Sequence, residues 1–375
     1  MLGLLYFGRL EKEKGFNDII EMILFYEKNK QELPFELFVF GAGAYEAQIQ
    51  MLAHRHRTIH YFGRQPLETI KRYVSNCEYV LMPSRCLESF GLTALTALKW
   101  GMQPIGYAKG GTEPFIDPSL DIDSIPWDTA AQKLYHMIEG LVQESPHINC
   151  PPLEDYSIEN RKANFAYLAE GKKKILIVSD FKNRIGGIET YINDAKKILE
   201  ESGYEVQIYG AQIPGGKRGK IVKILGIIAA IFNVREANKL AKKIQKEQPD
   251  IIRFNSVLRY IGRLPLRTSR KNKAEKRMMY HDLGYFYPFP RKLEQETDIK
   301  YPFTFKNFIK SAKTKNPIII LASTGKYLLL KLIQNQLKKR IKKHLVPSPF
   351  MKPIVHKSFA ISEEDITVFP HFIQE

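Results

Sequence analysis

The stretch from Pro83 to Gly111, PSRCLESFGLTALTALKWGMQPIGYAKGG, decides the fold of the first half of the chain. The apolar run Tyr79–Met82 predicts a strand that stops where this stretch begins, and a polar loop follows. From residues 90–91 onward, leucines at helical spacing predict a helix that ends at Gly101. The pattern is that of a strand, a loop, a helix and a second strand, with the carboxylate of Glu88 just ahead of the helix.

The start of this helix is suited to an anion. Unpaired backbone N–H groups and the positive end of the helix dipole attract a phosphate or a polarised sugar hydroxyl. We therefore expect a nucleotide site here. An ordinary βαβ crossover with a chance glutamate in its loop is the alternative.

The same residues carry a family resemblance. ESFGLTALTAL (residues 88–98), followed by GMQPIGYAKGG (residues 101–111), resembles the donor-site signature of group-one (family 4 type) retaining glycosyltransferases with the GT-B fold. That family has a Glu, seven residues and a second Glu. Here the first is Glu88, and the second position holds Thr96.

The resemblance implies a role for each of these residues. Glu88 would hold the donor sugar, and Thr96 would keep one hydrogen bond to the ribose in place of the charged, bidentate grip of a carboxylate. The backbone of Phe90, Gly91 and Leu92 would bind the phosphate or sugar hydroxyls of the donor.

Length and composition limit the classes of protein to which the chain can belong. At 375 residues, with 44% hydrophobic and 26% charged residues, the chain is expected to form two soluble domains. Three cysteines without metal-ligand spacing predict a reducing compartment, no disulfide framework and no metal site. Met1–Phe7 is expected to be a strand, not a signal peptide, and Ile224–Val234 is too short to cross a bilayer. We expect a cytoplasmic protein.

Charge divides the chain into two halves. Residues 1–171 hold 16 Lys and Arg against 22 Asp and Glu, whereas residues 172–375 hold 41 against 18. A surface as basic as the second half suits anionic lipid, anionic glycan or nucleic acid. A solvated face in a lysine-rich protein is the alternative. Specific nucleic-acid binding is not expected, because no RNA-binding or helix-turn-helix signature is present.

Residues 1–110 alternate strands and helices. This alternation predicts a parallel, doubly wound sheet, in which ligands bind beyond the carboxyl ends of the strands. The predicted elements are strands at Leu2–Phe7, Phe35–Phe40, Ile59–Phe62 and Tyr79–Met82, and helices at Phe16–Lys30, Ala44–His54 and Leu67–Val74. Asn17 is expected to cap the first helix, with Ile19, Ile20, Ile23 and Leu24 as its buried stripe.

Two glycine-containing loops follow the first two strands. Gly8, Arg9 and Lys14 resemble the glycine-arginine turn and lysine with which the family clamps the donor diphosphate; Lys12 is the alternative to Lys14. A guanidinium and an ammonium can neutralise a leaving pyrophosphate without a metal. Gly43, in the second loop, is expected to belong to the donor site, although Gly41 and Gly43 alone are a weak glycine signal.

The second half resembles the opening of the same family's amino-terminal domain. The resemblance lies in Lys174–Asp180, the glycine pair Gly186 and Gly187, and the strand at residues 203–208. The usual order of the two domains is thus inverted, and we infer a circular permutation. The expected domains are a donor domain at 1–155, a crossing helix and linker at 156–171, and an acceptor-side domain at 172–375.

The second domain contributes fewer chemical residues. Gly186 and Gly187 open a helix after a strand, so the backbone can approach the donor, or they form a plain turn. The family places a histidine beside the donor sugar, and His281 stands at that position. It would orient the sugar and stabilise charge without acting as a titrating base. Asp282 would either fix its tautomer or cap the following turn.

Two stretches bear on location. Ile221–Val234 and Tyr327–His344 combine apolar with basic residues, as a peripheral enzyme acting on a lipid-linked acceptor would require. In the second stretch, Leu328, Leu329, Leu332, Ile333 and Leu337 also have ordinary core spacing. A core helix with a solvated basic end is thus the alternative, and peripheral contact with the inner face of a membrane remains an expectation.

The family resemblance implies a metal-independent, retaining hexosyl-type glycosyltransferase with no cofactor beyond its donor substrate. The fold would be GT-B: two Rossmann-like, doubly wound parallel-sheet domains in permuted order. The donor would be a nucleoside-diphosphate sugar, UDP or GDP being expected, and the acceptor a glycan or lipid-linked glycan in polysaccharide biosynthesis. A catalytically silent GT-B subunit that binds a nucleotide sugar or a partner transferase is the alternative, motivated by Thr96.

Overall fold

The structure is a computed structural model of the chain, which forms two compact units. Unit 1 comprises Met1–Leu153 and Arg291–Glu296, and unit 2 comprises Glu154–Pro290 and Thr297–Glu375. The residues that the structure describes are 1–29, 31–143, 152–168, 171–181, 187–211, 233–258, 261, 264, 266, 272–287, 290–299, 301, 304–310 and 316–372.

Unit 1 is built on a five-stranded sheet whose strands are all parallel. The strands are β1 (Leu2–Phe7), β2 (Phe35–Phe40), β3 (Ile59–Tyr61), β4 (Tyr79–Met82) and β5 (Gln103–Gly106), in the spatial order β3-β2-β1-β4-β5. They are almost continuously apolar, because helices cover both faces of such a sheet. The order reverses between β1 and β4, which makes the loops after these two strands the expected ligand-binding crevice.

The helices of unit 1 follow the predicted alternation. They are α1 (Phe16–Lys28), α2 (Glu46–Arg55), α3 (Leu67–Lys71), α4 (Leu92–Lys99) and α5 (Ala130–Gln143). Helix α4 ends at Lys99, Trp100 is its C-cap, and Gly101 follows in a left-handed conformation, so the helix stops at Gly101 as predicted.

Two details of α1 differ from the prediction. Asn17 does not cap the helix: the N-cap is Gly15, and the side chain of Asn17 instead donates to Asp18 Oδ1 at 2.8 Å. The reason is that the left-handed backbone at Gly15 starts the helix two residues earlier. Ile19, Ile20 and Ile23 are buried as expected, but Leu24 is 40% exposed.

Unit 2 is built on a six-stranded, all-parallel sheet. Its strands are β6 (Lys174–Phe181), β7 (Glu205–Ala211), β8 (Ile251–Ser256), β9 (Glu275–Met279), β10 (Lys343–Val346) and β11 (Ile366–Val368), in the order β11-β10-β9-β8-β6-β7. The order reverses between β6 and β8. Two doubly wound parallel α/β units confirm the predicted fold class and are consistent with GT-B.

Six helices of unit 2 lie among the described residues: α6 (Ile158–Leu168), α7 (Gly187–Glu201), α8 (Val234–Glu247), α9 (Phe305–Lys310), α10 (Pro317–Arg340) and α11 (Met351–Phe359). In α10, Leu329, Ile333 and Leu337 are buried as core spacing predicts, whereas Leu328 and Leu332 are exposed. Most of Ile221–Val234 lies outside the described residues. Within the described part of the chain, no helix has the length and hydropathy to span a membrane.

A close backbone approach joins the loops after β1 and β4. Gly15 has φ +67°, and a Cβ built on it would lie 1.8 Å from the carbonyl oxygen of Pro83. No other residue type can occupy this position without moving one of the loops. Gly15 therefore fixes the separation of the two loops that flank the reversal point.

We expect Gly15→Ala to destabilise unit 1 by about 2–4 kcal/mol, the sum of left-handed backbone strain and the clash with Pro83. Gly101→Ala is the matched control, because Gly101 also has positive φ (+80°) but a Cβ added to it would meet nothing within 4 Å. It should cost only about 1 kcal/mol. Urea unfolding of both variants measures the difference, and equal losses would contradict the proposed contact.

Candidate functional site

Two loops meet at the reversal point of unit 1. The loop after β1 runs from Gly8 to Gly15, and the loop after β4 begins at Pro83. The carbonyl of Glu13 accepts hydrogen bonds from the backbone N–H groups of Arg85 (3.1 Å) and Cys86 (3.2 Å). These bonds hold the side chains of both loops at one edge of the sheet.

Lys14 and Glu88, both predicted as site residues, are in direct contact. Lys14 Nζ donates to Glu88 Oε1, and the hydroxyl of Ser84 donates to the same oxygen at 2.9 Å. Their side chains are 27% and 24% exposed, so solvent reaches the pair. Burial acts to lower the pKa of Lys14, but the charge and hydrogen bond of Glu88 outweigh it and raise that pKa. Lys14 is thus held as a cation.

Arg9 lies in the same loop and is paired with Glu13 at 2.9 Å. Glu13 Oε1 also contacts Arg291 at 3.3 Å. Burial opposes ionisation of Glu13, but a hydrogen bond from its own backbone and the contacts with Arg9 and Arg291 lower its pKa. Three cations, Arg9, Lys14 and Arg291, therefore lie in or beside this loop, and among the described residues they pair with two carboxylates, Glu13 and Glu88.

Arg291 was missed by the sequence analysis. It belongs to a short segment, Arg291–Glu296, that comes from the second half of the chain and joins unit 1. The backbone N–H of Leu87 donates to the carbonyl of Leu293 at 2.7 Å, and the side chain of Leu293 is fully buried. No local pattern reports a contact between residues 278 positions apart. The only signal was a basic pair, Arg291 and Lys292, after a proline-rich run.

The glutamate loop is also bonded to the glycine turn that follows β5. The N–H of Gly111 donates to the carbonyl of Glu88 at 2.9 Å. A Cβ on Gly111 would lie 2.3 Å from the backbone nitrogen of Phe90, so glycine is required there. Phe90 is buried, Gly91 is the N-cap of α4 with φ +96°, and Leu92 begins the helix at the surface. The helix start therefore lies beside Glu88, as predicted.

The remaining unit 1 residues make mainly structural contacts. Thr96 is buried, and its hydroxyl donates to the carbonyl of Leu92 at 2.7 Å, within the helix. Its oxygen can still accept one further hydrogen bond. Gly43 packs on the backbone of Leu10, where a Cβ would lie 2.4 Å from the carbonyl oxygen. The N–H of Gly8 donates to the carbonyl of Phe40 at 3.0 Å and continues the β1–β2 pairing.

The predicted residues of unit 2 lie at the carboxyl end of its sheet. His281, two residues beyond β9, is buried, and its Nε2 lies 3.1 Å from Asn255 Oδ1. Asp282 caps the following turn, accepting from the N–H of Gly284 at 2.7 Å. Gly187 is the first residue of α7, and Gly186 lies outside the described residues.

The histidine is in an unusual electrostatic environment. Burial lowers the pKa of His281 well below its usual range, and the nearby His371 and Arg253 lower it further. It is consequently neutral at physiological pH, and it can donate or accept a hydrogen bond but carries no charge. Across the residues that the structure describes, no group of three or more His, Cys, Asp or Glu side chains has metal-binding geometry.

Residues 3–119 match the family model described as Glycosyl transferases group 1. The match covers less than half of the chain and lies wholly within unit 1. It includes both loops of the reversal point and the whole of α4. A comparison with curated proteins gave no match.

Similar solved structures include the catalytic domain of cholesterol-alpha-glucosyltransferase from Helicobacter pylori, with 18% identity over 39% of this chain and 89% of that chain, and a TM-score of 0.29. The pneumococcal O-GlcNAc transferase GtfA is 22% identical over 38% of this chain and 29% of that chain (TM-score 0.31). A substrate-binding protein of a sugar transport system from Bordetella parapertussis is 9% identical over 74% of this chain and 67% of that chain (TM-score 0.21). By the family match, unit 1 is similar to a group 1 glycosyltransferase domain.

We expect the Lys14–Glu88 pair to show energetic coupling. In a double-mutant cycle with Lys14→Met and Glu88→Gln, the interaction free energy should be about 1 kcal/mol at low salt, because each single variant leaves a partly buried charge unpaired. Urea unfolding of the four proteins measures it. The cycle Arg9→Met with Glu13→Gln is the control: Arg9 is 43% exposed, so its coupling should be smaller. Additive losses for Lys14 and Glu88 would contradict the contact.

Proposed function

We propose that the chain is a retaining glycosyltransferase that moves a sugar from a nucleoside-diphosphate donor to an acceptor hydroxyl. The observation that carries this proposal is the constellation at the reversal point of unit 1. There Lys14 contacts Glu88, Arg9 lies in the same loop as Lys14, and the N-terminus of α4 follows. The match of residues 3–119 to the group 1 glycosyltransferase family supports it.

The cations are assigned to the leaving diphosphate. Arg9 and Lys14 would neutralise charge that develops on the diphosphate oxygen as the glycosidic bond breaks, and Arg291 adds a third cation beside Glu13. A planar guanidinium and a mobile ammonium can do this without a divalent metal. Lys14 would transfer from Glu88 to the diphosphate when the donor binds, which frees the carboxylate.

The freed carboxylate of Glu88 would then accept hydrogen bonds from the hydroxyls of a hexosyl group. The N–H groups at Phe90, Gly91 and Leu92 are at the start of α4 and would bind the phosphate or sugar hydroxyls. Thr96 would accept one hydrogen bond from the ribose, because its own proton is already donated to Leu92. UDP and GDP are the expected donor nucleotides.

Unit 2 is proposed to bind the acceptor, a glycan or a lipid-linked glycan. His281 and the backbone at Gly187 would contact the donor sugar from this unit. Because its pKa is lowered by burial, His281 would act as a neutral hydrogen-bonding group, and the leaving phosphate oxygen would take the acceptor proton on the same face. That course retains the anomeric configuration.

We also propose an order for the two domains and a cellular location for the protein. The donor domain would occupy residues 1–155 and the acceptor-side domain 172–375, with a crossing helix between them, so that the chain is a circular permutation of the usual order. The reaction would belong to polysaccharide biosynthesis in the cytoplasm. The basic second half would give peripheral contact with an anionic membrane.

Thr96 favours a second candidate function, that of a catalytically silent subunit that binds nucleotide sugar or a partner transferase. The proton of its hydroxyl is donated to the helix backbone, and the side chain offers no charge to the ribose. A donor would then bind without turnover. Binding and turnover must therefore be measured separately.

Purified protein incubated with UDP-, GDP- and ADP-sugars tests the proposal. We expect one donor to release nucleoside diphosphate equally with and without EDTA. Glu88→Gln and Arg9→Ala should reduce release by about 10²–10³-fold, since each removes a charge placed at the reacting group. Glu21→Gln and Arg72→Ala, at exposed positions of unit 1, are the matched controls and should be unaffected.

The outcomes separate the alternatives. Donor binding in calorimetry without release, in the presence of candidate acceptors, supports the silent subunit. Neither binding nor release with any donor contradicts the assignment of the donor site. Release that EDTA abolishes contradicts the assignment of charge neutralisation to the cations alone.

A further inference from the structure

Two buried cations of unit 2 pack against the same aromatic ring, that of Phe369. Arg161, on α6, is fully buried, and none of its three guanidinium nitrogens has a hydrogen-bond partner among the described residues. Arg253, on β8, is also buried, and its Nε has no partner in the same part of the chain. A guanidinium carries five N–H donors, and leaving them all unpaired away from water is strongly unfavourable.

Neutral groups surround these arginines. Arg253 Nη2 donates to the hydroxyl of Tyr191 at 2.7 Å and to Asn255 Oδ1 at 3.3 Å. The guanidinium carbon of Arg161 lies 4.5 Å from the ring centre of Phe369, and that of Arg253 lies 5.7 Å from the same ring. Aromatic faces stabilise a cation in part, but they add no negative charge. Both guanidinium groups thus pack against the same ring, that of Phe369, and this ring supplies no counter-charge.

The two histidines near the arginines, His281 and His371, do not change the net charge of the cluster. The rings of His281 and His371 are stacked, with their centres 5.2 Å apart. Burial, together with the nearby Arg161 and Arg253, lowers the pKa of His371 to about 3, so this ring is neutral. Burial and Arg253 also lower the pKa of Arg161, but only to about 10. At physiological pH the cluster therefore keeps two positive charges.

No carboxylate among the described residues forms an ion pair with either arginine. Glu275, on the neighbouring strand β9, is already paired with Arg277 (2.6 Å) and with Lys172. Protein interiors seldom keep two unpaired charges of the same sign. Within the described part of the chain the two arginines therefore carry a charge that no carboxylate compensates, and an anion from solution would compensate it.

A small cavity adjoins the cluster. It has a volume of about 20 Å³ and is lined by Arg253, by Phe165 and Phe369, by Arg277 and by aliphatic side chains. This volume admits a particle of about the size of one water molecule. A tetrahedral oxyanion such as phosphate or sulfate is too large for it. Of the common anions, a monatomic ion is the nearest to this size.

We propose that unit 2 binds one chloride ion in this cavity, against Arg253 and beside the ring of Phe369 on which Arg161 also packs. The ion neutralises part of the buried charge beside His281 and stabilises the packing of α6 on the sheet. The proposal goes beyond glycosyl transfer and does not depend on it, because it concerns the stability of unit 2 and is tested without any donor.

Thermal unfolding of the full chain tests this at a constant ionic strength of about 0.15 M, with chloride replacing gluconate, an anion too large for the cavity. We expect a saturable rise in Tm of about 3–6 °C for the unit 2 transition. Bromide should act similarly, whereas sulfate and phosphate should not. Sulfate or phosphate acting alone, or no anion effect, would overturn the chloride assignment.

Two variants separate a binding site from a packing role. Arg161→Met keeps the aliphatic stem and removes the charge, so it should abolish the chloride-dependent rise and be no less stable than the unaltered protein in gluconate. Lys162→Met is the matched control, because Lys162 is the next residue and is 42% exposed, paired with Glu201 at 3.4 Å. It should keep the full rise. A loss of stability that is equal in every salt would show that Arg161 only packs.

The NMR line width of chloride gives a readout that needs no stability measurement. The unaltered protein should broaden the line, and bromide should reverse the broadening by competition. Arg253→Met should lose the broadening. If the unaltered protein leaves the line width unchanged, or if Arg253→Met broadens it as strongly, the site is not where we place it.

Discussion

The close approach of Gly15 to the carbonyl of Pro83 is the constraint on which the candidate site depends. It brings the loops after β1 and β4 together at the point where the sheet order reverses. Parallel strands place both loops at one edge, and the glycine removes the Cβ that would hold them apart. Lys14, the residue before Gly15, then reaches Glu88. A backbone contact thus sets the distance between two charged side chains.

The charges of the chain are used differently in its two units. In unit 1 the cations at the reversal point lie beside carboxylates and remain accessible to solvent, so a charged ligand can compete for them. In unit 2 Arg161 and Arg253 are buried among aromatic rings and neutral histidines. Exposed pairs can exchange partners at little cost, whereas a buried unpaired cation requires a permanent one. The first arrangement fits a substrate, and the second fits a resident ion.

The sequence predicted the elements of unit 1 because its strands are apolar runs bounded by glycine and proline. The contact of Lys14 with Glu88 follows from strand order, which alternation of strands and helices allows one to anticipate. Where the prediction was wrong or left two alternatives open, local backbone geometry and hydrogen bonds determined the outcome. The left-handed Gly15 displaced Asn17 as the helix cap, and Asp282 was found to cap a turn.

Other features could not be predicted, because they depend on contacts between distant parts of the chain. Arg291 reaches Glu13 through a segment that is anchored by one buried leucine, Leu293. The buried cluster of unit 2 combines residues from α6, α7, β8 and the ends of β9 and β11. In the sequence, Arg161 and Arg253 are indistinguishable from the many exposed basic residues around them. They differ from those residues only in being buried, which the sequence does not show.

A crystal structure of the chain with a nucleoside diphosphate is the most direct test of the central claim, that the reversal point of unit 1 binds a donor diphosphate. We predict that the two phosphorus atoms lie at the carboxyl edge of β1 and β4, with phosphate oxygens within hydrogen-bonding distance of Arg9 and Lys14, and with Lys14 Nζ moved away from Glu88. A diphosphate bound elsewhere, or bound while the Lys14–Glu88 contact is intact, would contradict the account.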